Sequence, residues 1–72
     1  MHHGDMTPIE TVIQAFGTVG KTAKALGFER TKISRWRWYN HIPPKQVKHV
    51  LRVAWKNGID LSPYDVIFGK EG

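Results

Sequence analysis

The chain has 72 residues, enough for one small domain, and the modest share of surface that such a domain buries argues against an enclosed catalytic cleft. It has no cysteine to form disulfides or thiolate metal sites, and no run approaching the ~20 apolar residues that span a bilayer. Net charge is +5 and the pI near 9.9; ten of the eleven Lys and Arg residues lie between Lys21 and Lys56 against the single acid Glu29, a net +9 that repels itself unless phosphates neutralise it.

Residues 1–6 match neither a signal peptide nor a lipid anchor and are expected to be a flexible N-terminal segment. Residues 7–68 form the domain and 69–72 a flexible tail. His2 and His3 are adjacent while His41 and His49 stand far off, a spacing that holds no metal, so neither metal nor cofactor is expected. The first element follows at once. Thr7-Pro-Ile-Glu10 reads as a capping box with Pro at the first helical position, and Ile9, Val12, Ile13 and Phe16 recur at i, i+3, i+4 and i+7. A helix over about Pro8 to Phe16 buries that stripe, and Gly17 stops it.

Thr18 caps a second helix whose inward residues are Val19, Ala23 and Leu26, with Gly27 at its end. The third helix begins at Arg30 and turns Ile33 and Trp36 inward. Two helices cross at a wide angle when the first offers a small residue, the turn bends sharply and apolar side chains fill the gap. Ala23, Gly27 and Ile33 meet these needs in the spacing of a DNA-binding helix-turn-helix, with Leu26, Phe28 and Trp36 completing the apolar set.

Stepping 100° per residue from Ile33 leaves Thr31, Ser34, Arg35 and Trp38 facing out, with Lys32 at one margin. Arg30 lies nearer the core side but begins the helix, where side chains splay. A recognition helix presents such residues to base edges, so Arg30, Thr31, Ser34, Arg35 and Trp38 are the expected base readers. Arg30 and Arg35 suit guanine O6 and N7, and Thr31 and Ser34 can donate to bases or phosphates. Phosphate contacts are expected from Thr18, Val19, Gly20, Lys21 and Thr22, around the start of the second helix, and from Lys32 on the third. Gly20 fits either close approach of its N–H to a phosphate or a merely tolerated first-turn glycine. Glu29 is expected to stabilise the third helix through its dipole, accepting from a cytosine amino group being the other reading. Trp38 packs on the DNA backbone, on a neighbouring subunit or over the following loop.

Asn40-His-Ile-Pro-Pro44 is an extended connection, after which Pro43 or Pro44 opens a fourth helix to Lys56 that buries Val47, Val50, Leu51 and Ala54, with Trp55 at the boundary. Val53 falls outside that stripe and, beside Val50 and His49, is a candidate self-association surface. Ser62-Pro-Tyr-Asp65 repeats the cap logic for a short closing helix to Phe68, although Val-Ile-Phe also suits a β-strand. The fold class is therefore all-α: a small five-helix domain containing a helix-turn-helix.

The run Phe16-Gly-Thr18, Ala23-Lys-Ala-Leu-Gly27, Ile33-Ser-Arg-Trp36 and Ile42-Pro43 resembles the Cro repressors of lambdoid phages and the related YdaS-type regulators of the lambda-repressor-like superfamily. A Lys-Thr-Ala then Ile-Ser-Arg-Trp pattern is also similar to phage CII-type activators. The similarity covers about Thr11 to Trp55. It implies a repressor that binds double-stranded operator DNA as a homodimer, with one helix of each copy in a major groove; base contacts would fall to Arg30, Thr31, Ser34 and Arg35, with Val19, Gly20 and Lys21 near phosphate. The little apolar surface left once the core is filled makes a weak homodimer, formed mainly on DNA, the expectation for free solution. Glu29 stands where a Ser, Thr or Asp often caps the helix, and Trp38 replaces a usual polar residue. CII-type activators carry a further oligomerisation helix without counterpart in these residues, so Cro is the preferred resemblance. A bacterial cytoplasmic, nucleoid-associated phage or prophage regulator is the resulting expectation.

A reading of a different class also stands: a protein-interaction module, such as the antitoxin of a toxin-antitoxin pair, that presents Trp38, Val53 and the basic helix to an acidic partner. An enzyme is not expected, because paired carboxylates and a cysteine nucleophile are missing and Gly17 to Lys21 lacks the phosphate-loop spacing.

Overall fold

The computed structural model describes residues 7–69, and among them every regular element is helical: α1 Pro8–Phe16, α2 Val19–Leu26, α3 Arg30–Tyr39, α4 Pro44–Lys56 and α5 Pro63–Phe68. The segment 65–68 that suited a strand closes as helix because Ser62 and Asp65 form a full capping box. Asp65 N–H donates to Ser62 Oγ at 3.1 Å, and Ser62 N–H to Asp65 Oδ2 at 3.4 Å. At α1 the box is only half made. Thr7 Oγ1 accepts from Glu10 N–H at 3.3 Å, but the Glu10 carboxylate takes the Thr7 hydroxyl at 3.0 Å instead of the Thr7 backbone N–H.

The turn between α2 and α3 rests on Gly27, whose left-handed backbone (φ 78°, ψ 26°) carries a Cβ only under strain. Phe28 N–H reaches back to the Ala23 carbonyl at 2.9 Å and Gly27 N–H to that of Lys24 at 3.3 Å, the paired bonds of a Schellman motif. This leaves Phe28 half-buried, edge-on to Trp36 with ring centroids 5.7 Å apart, so the cap and the α2–α3 packing are one feature.

One core joins all five helices: Ile9 and Val12 from α1, Ala23 and Leu26 from α2, Ile33 and Trp36 from α3, Val50, Leu51 and Ala54 from α4, and Val66 from α5. Ile42 and Leu61, in the connections, fill it further. Ile33 is wholly enclosed, and its truncation to Ala would cost ~2–5 kcal/mol. Val47, expected inside, is half-buried, since α4 turns it toward the edge of the core. α5 packs on α1 and α4, while α2 packs on α1, α3 and α4.

One expectation changes on packing grounds. Val53 is half-buried against the core and Val50 fully buried, so the self-association surface imagined there is spent inside the domain. The expected terminal segments, residues 1–6 and 70–72, lie outside the described residues; Gly69 is buried, its N–H donating to the Asp65 carbonyl at 3.0 Å.

Candidate nucleic-acid interface

α3 turns only Ile33 and Trp36 inward and exposes its eight other residues, of which four are Lys or Arg. Two inward positions three apart leave a wide outer ridge by helical geometry alone. Arg30, Thr31, Ser34 and Arg35 are exposed along it, and Trp38 is 83% exposed. An indole left in water at that fraction contributes nothing to the core, so its apolar surface is free for another molecule.

The ridge has two shoulders. On the Arg30 side stands the N-terminus of α2, where Thr18 Oγ1 accepts from Lys21 N–H at 3.1 Å. A Cβ placed on Gly20 would come within 4.0 Å of Arg30 Nε and 3.9 Å of Thr18 Oγ1, ordinary contact distances. The protein's own packing therefore does not demand glycine at position 20. Lys21 folds its stem back over Gly17, and Val19 and Gly20 are half-exposed.

On the other flank a depression beside α3 is lined by Lys32, Arg35, Trp36, Tyr39, His41 and Pro43. The His41 ring is fixed there by an Nδ1–H donated to the Tyr39 carbonyl at 3.2 Å. Lys32 and Arg35 also border a second depression with Phe28, Glu29 and Thr31. Lys32 holds its ammonium 4.1 Å from the centre of the Phe28 ring, a cation–π contact that orders an otherwise floppy cation. Helical periodicity had no reason to single out Tyr39 or His41. Tyr39 lies on the Lys32 flank by its spacing, but the position of His41 depends on how the connection leaves α3.

Thr22 does not join these residues. It is wholly buried, and its hydroxyl donates to the Thr18 carbonyl at 2.7 Å, so it braces the first turn of α2 from inside. Glu29 occupies the cap position of α3 without a side-chain capping bond; its backbone carbonyl accepts from Lys32 N–H at 3.0 Å and its carboxylate is exposed.

Charge is divided between two parts of the chain. Residues 21–56 hold ten cations and one acid, whereas α1 and residues 59–69 contain Glu10, Asp60 and Asp65 and no Lys or Arg. Among the described residues no grouping of three His, Asp or Glu side chains stands in position to hold a metal ion, and no helix is long and apolar enough to cross a membrane.

No protein-family model matches the chain, and comparison with curated proteins gives no match. Among solved structures, the chain is similar to the Cro protein assigned to a prophage element, Xfaso 1, of Xylella fastidiosa strain Ann-1. The TM-score is 0.67 and the identity 28%, over 85% of this chain and 89% of that one. The fold is Cro-like.

Proposed function

We propose that this Cro-like chain is a sequence-specific regulator that binds double-stranded DNA, placing α3 in the major groove with the N-terminus of α2 against the flanking phosphates. The observation that carries the reading is the outer ridge of α3: Arg30, Thr31, Ser34, Arg35 and Trp38 stand exposed together on a helix whose inward residues are locked in the core. Paired arginine bonds to guanine, hydroxyl donors and an apolar surface for thymine methyls are the chemistry of base-edge readout. Thr18, Val19, Gly20, Lys21 and Lys32 supply the phosphate-facing border, and Tyr39 and His41 extend it on the far flank. Thr22 is left out because it has no exposed surface.

The similarity to a Cro protein assigned to a prophage element supports regulation by a phage or prophage repressor. The mechanism is steric: two copies on an inverted repeat occlude polymerase at a promoter. Selection of duplexes from a random pool at near-physiological salt tests this. An enriched inverted repeat, with half-sites about one helical turn (~34 Å) apart, supports the reading. Salt-steep binding without sequence enrichment would reduce the basic face to a phosphate-binding surface and sink it.

A further inference from the structure

Three carboxylates stand at helix starts among the described residues, and two of them are engaged there. Glu10 takes the Thr7 hydroxyl at 3.0 Å and Asp65 the Ser62 N–H at 3.4 Å, each within the first turn of its helix. Glu29, at the cap of α3, makes no capping bond, and its side chain forms no hydrogen bond or ion pair with any described residue. Yet it is the single acid among the ten cations of residues 21–56. The nearest cations in sequence are turned elsewhere. Arg30 lies back beside Gly20, its Nε 4.0 Å from the place a Cβ would take there, and Lys32, at the i+3 spacing that suits an ion pair, sits 4.1 Å from the centre of the Phe28 ring. The free carboxylate is exposed at a depression that it shares with Thr31 and Arg35, two residues of the outer ridge.

On most DNA a free carboxylate at this edge is a handicap. Brought to the duplex it loses water and meets the repulsion of the phosphates, and the base edges decide whether anything offsets that. In the major groove guanine offers O6 and N7 and thymine O4, all acceptors that repel a carboxylate. Adenine has an amino group at N6, but the N7 lone pair stands beside it. Cytosine alone offers an amino donor, N4, with no acceptor next to it. One base therefore satisfies the carboxylate and three penalise it, so such a residue sets specificity by what it rejects as well as by what it binds.

We infer that Glu29 is a specificity-determining residue, accepting a hydrogen bond from the N4 amino group of a cytosine in the same half-site as the base contacted by Arg35. This rests on the reading of α3 as the helix placed in the major groove. A role in the helix dipole alone acts on stability and makes no demand on what the carboxylate touches, whereas a free carboxylate beside Thr31 and Arg35 acts on the choice of base. It also lowers the phosphate-driven affinity that the +9 segment gives to DNA of any sequence.

The test selects duplexes from a random pool at fixed salt with the full chain as wild type, Glu29→Gln and Glu29→Ala. Affinities are then titrated on the wild type's preferred duplex, on its single-base variants and on an unrelated duplex. The wild type should require cytosine at one position and lose about tenfold or more in affinity when that base is replaced. Glu29→Ala should level the four bases there and leave the other positions as they were. Glu29→Gln should move the preference at that position toward adenine, whose N6 and N7 an amide can pair. Both variants should bind the unrelated duplex several-fold more tightly than the wild type, with circular dichroism unchanged and Tm within a few degrees, since the side chain is exposed and uncapped. Variants that select the wild type's sequence with its discrimination intact would overturn the role of Glu29 and leave the operator reading standing. A wild type that enriches no sequence would overturn both.

Discussion

His49 on α4 donates its Nε2–H to the carbonyl oxygen of Leu26 at 2.8 Å, joining residues 23 apart in sequence. A carbonyl can only accept, so this contact places the imidazole proton on Nε2. Leu26 is the last residue of α2, where carbonyls have no partner within the helix. The same ring lies 5.4 Å from that of Phe28, so one side chain of α4 braces both the end of α2 and the turn into α3. Replacement His49→Ala should cost ~1–2 kcal/mol, a fall in Tm of several degrees by thermal denaturation. An unchanged Tm would mean that the bond is replaced by water at no cost.

Arg35 stands on the outer ridge and borders both depressions beside α3. Arg35→Ala should lower affinity for the selected duplex by ~1–3 kcal/mol and relax preference at one base position. Titration of the wild-type site and its single-base variants at fixed salt checks this. Equal loss on every sequence would reassign Arg35 to a phosphate.

Gly20 offers a cleaner separation of folding from binding. A methyl group there meets nothing closer than 3.9 Å, and alanine is the better helix former, so Gly20→Ala should raise stability by up to ~0.5–1 kcal/mol. If a phosphate approaches this backbone, the same variant should bind DNA more weakly while melting higher. A gain in stability with unchanged affinity would make Gly20 only a tolerated first-turn residue.

Trp38 is the most exposed of the large apolar side chains on the described residues. Trp38→Ala should therefore leave Tm within what ~0.5 kcal/mol of stability moves, yet reduce binding to the selected duplex. Fluorescence of the chain on adding that duplex gives a second readout, although Trp36 and Trp55 contribute to it and require the variant as reference. A variant that binds as the wild type does would remove Trp38 from the interface.

The five helices were legible because their signals are local. Thr7, Thr18 and Ser62 each satisfy an N–H three residues on, and Ile9, Val12, Ala23, Leu26, Ile33 and Trp36 repeat at the period of one helix face. The outward set on α3 was legible for the same reason: once Ile33 and Trp36 point inward, the helix geometry sends Thr31, Ser34, Arg35 and Trp38 out. Thr22 shows the limit of such reasoning. Its neighbours Thr18 and Lys21 are exposed, and only the packing of α2 among α1, α3 and α4 decides that Thr22 is sealed.

By itself, then, the sequence determined the order of the helices, most of the side chains that each offers inward, and that the cations gather in the middle of the chain, because capping, turn chemistry and periodicity act within about four residues. Only the tertiary structure decided that His49 closes on Leu26, that Lys32 rides on Phe28, that His41 joins the flank of α3, and that Val53 goes inside while Tyr64, Ile67 and Phe68 stay out. Those outcomes depend on how helices far apart in sequence lie against one another, and a side chain's burial is fixed by what packs over it rather than by its own chemistry.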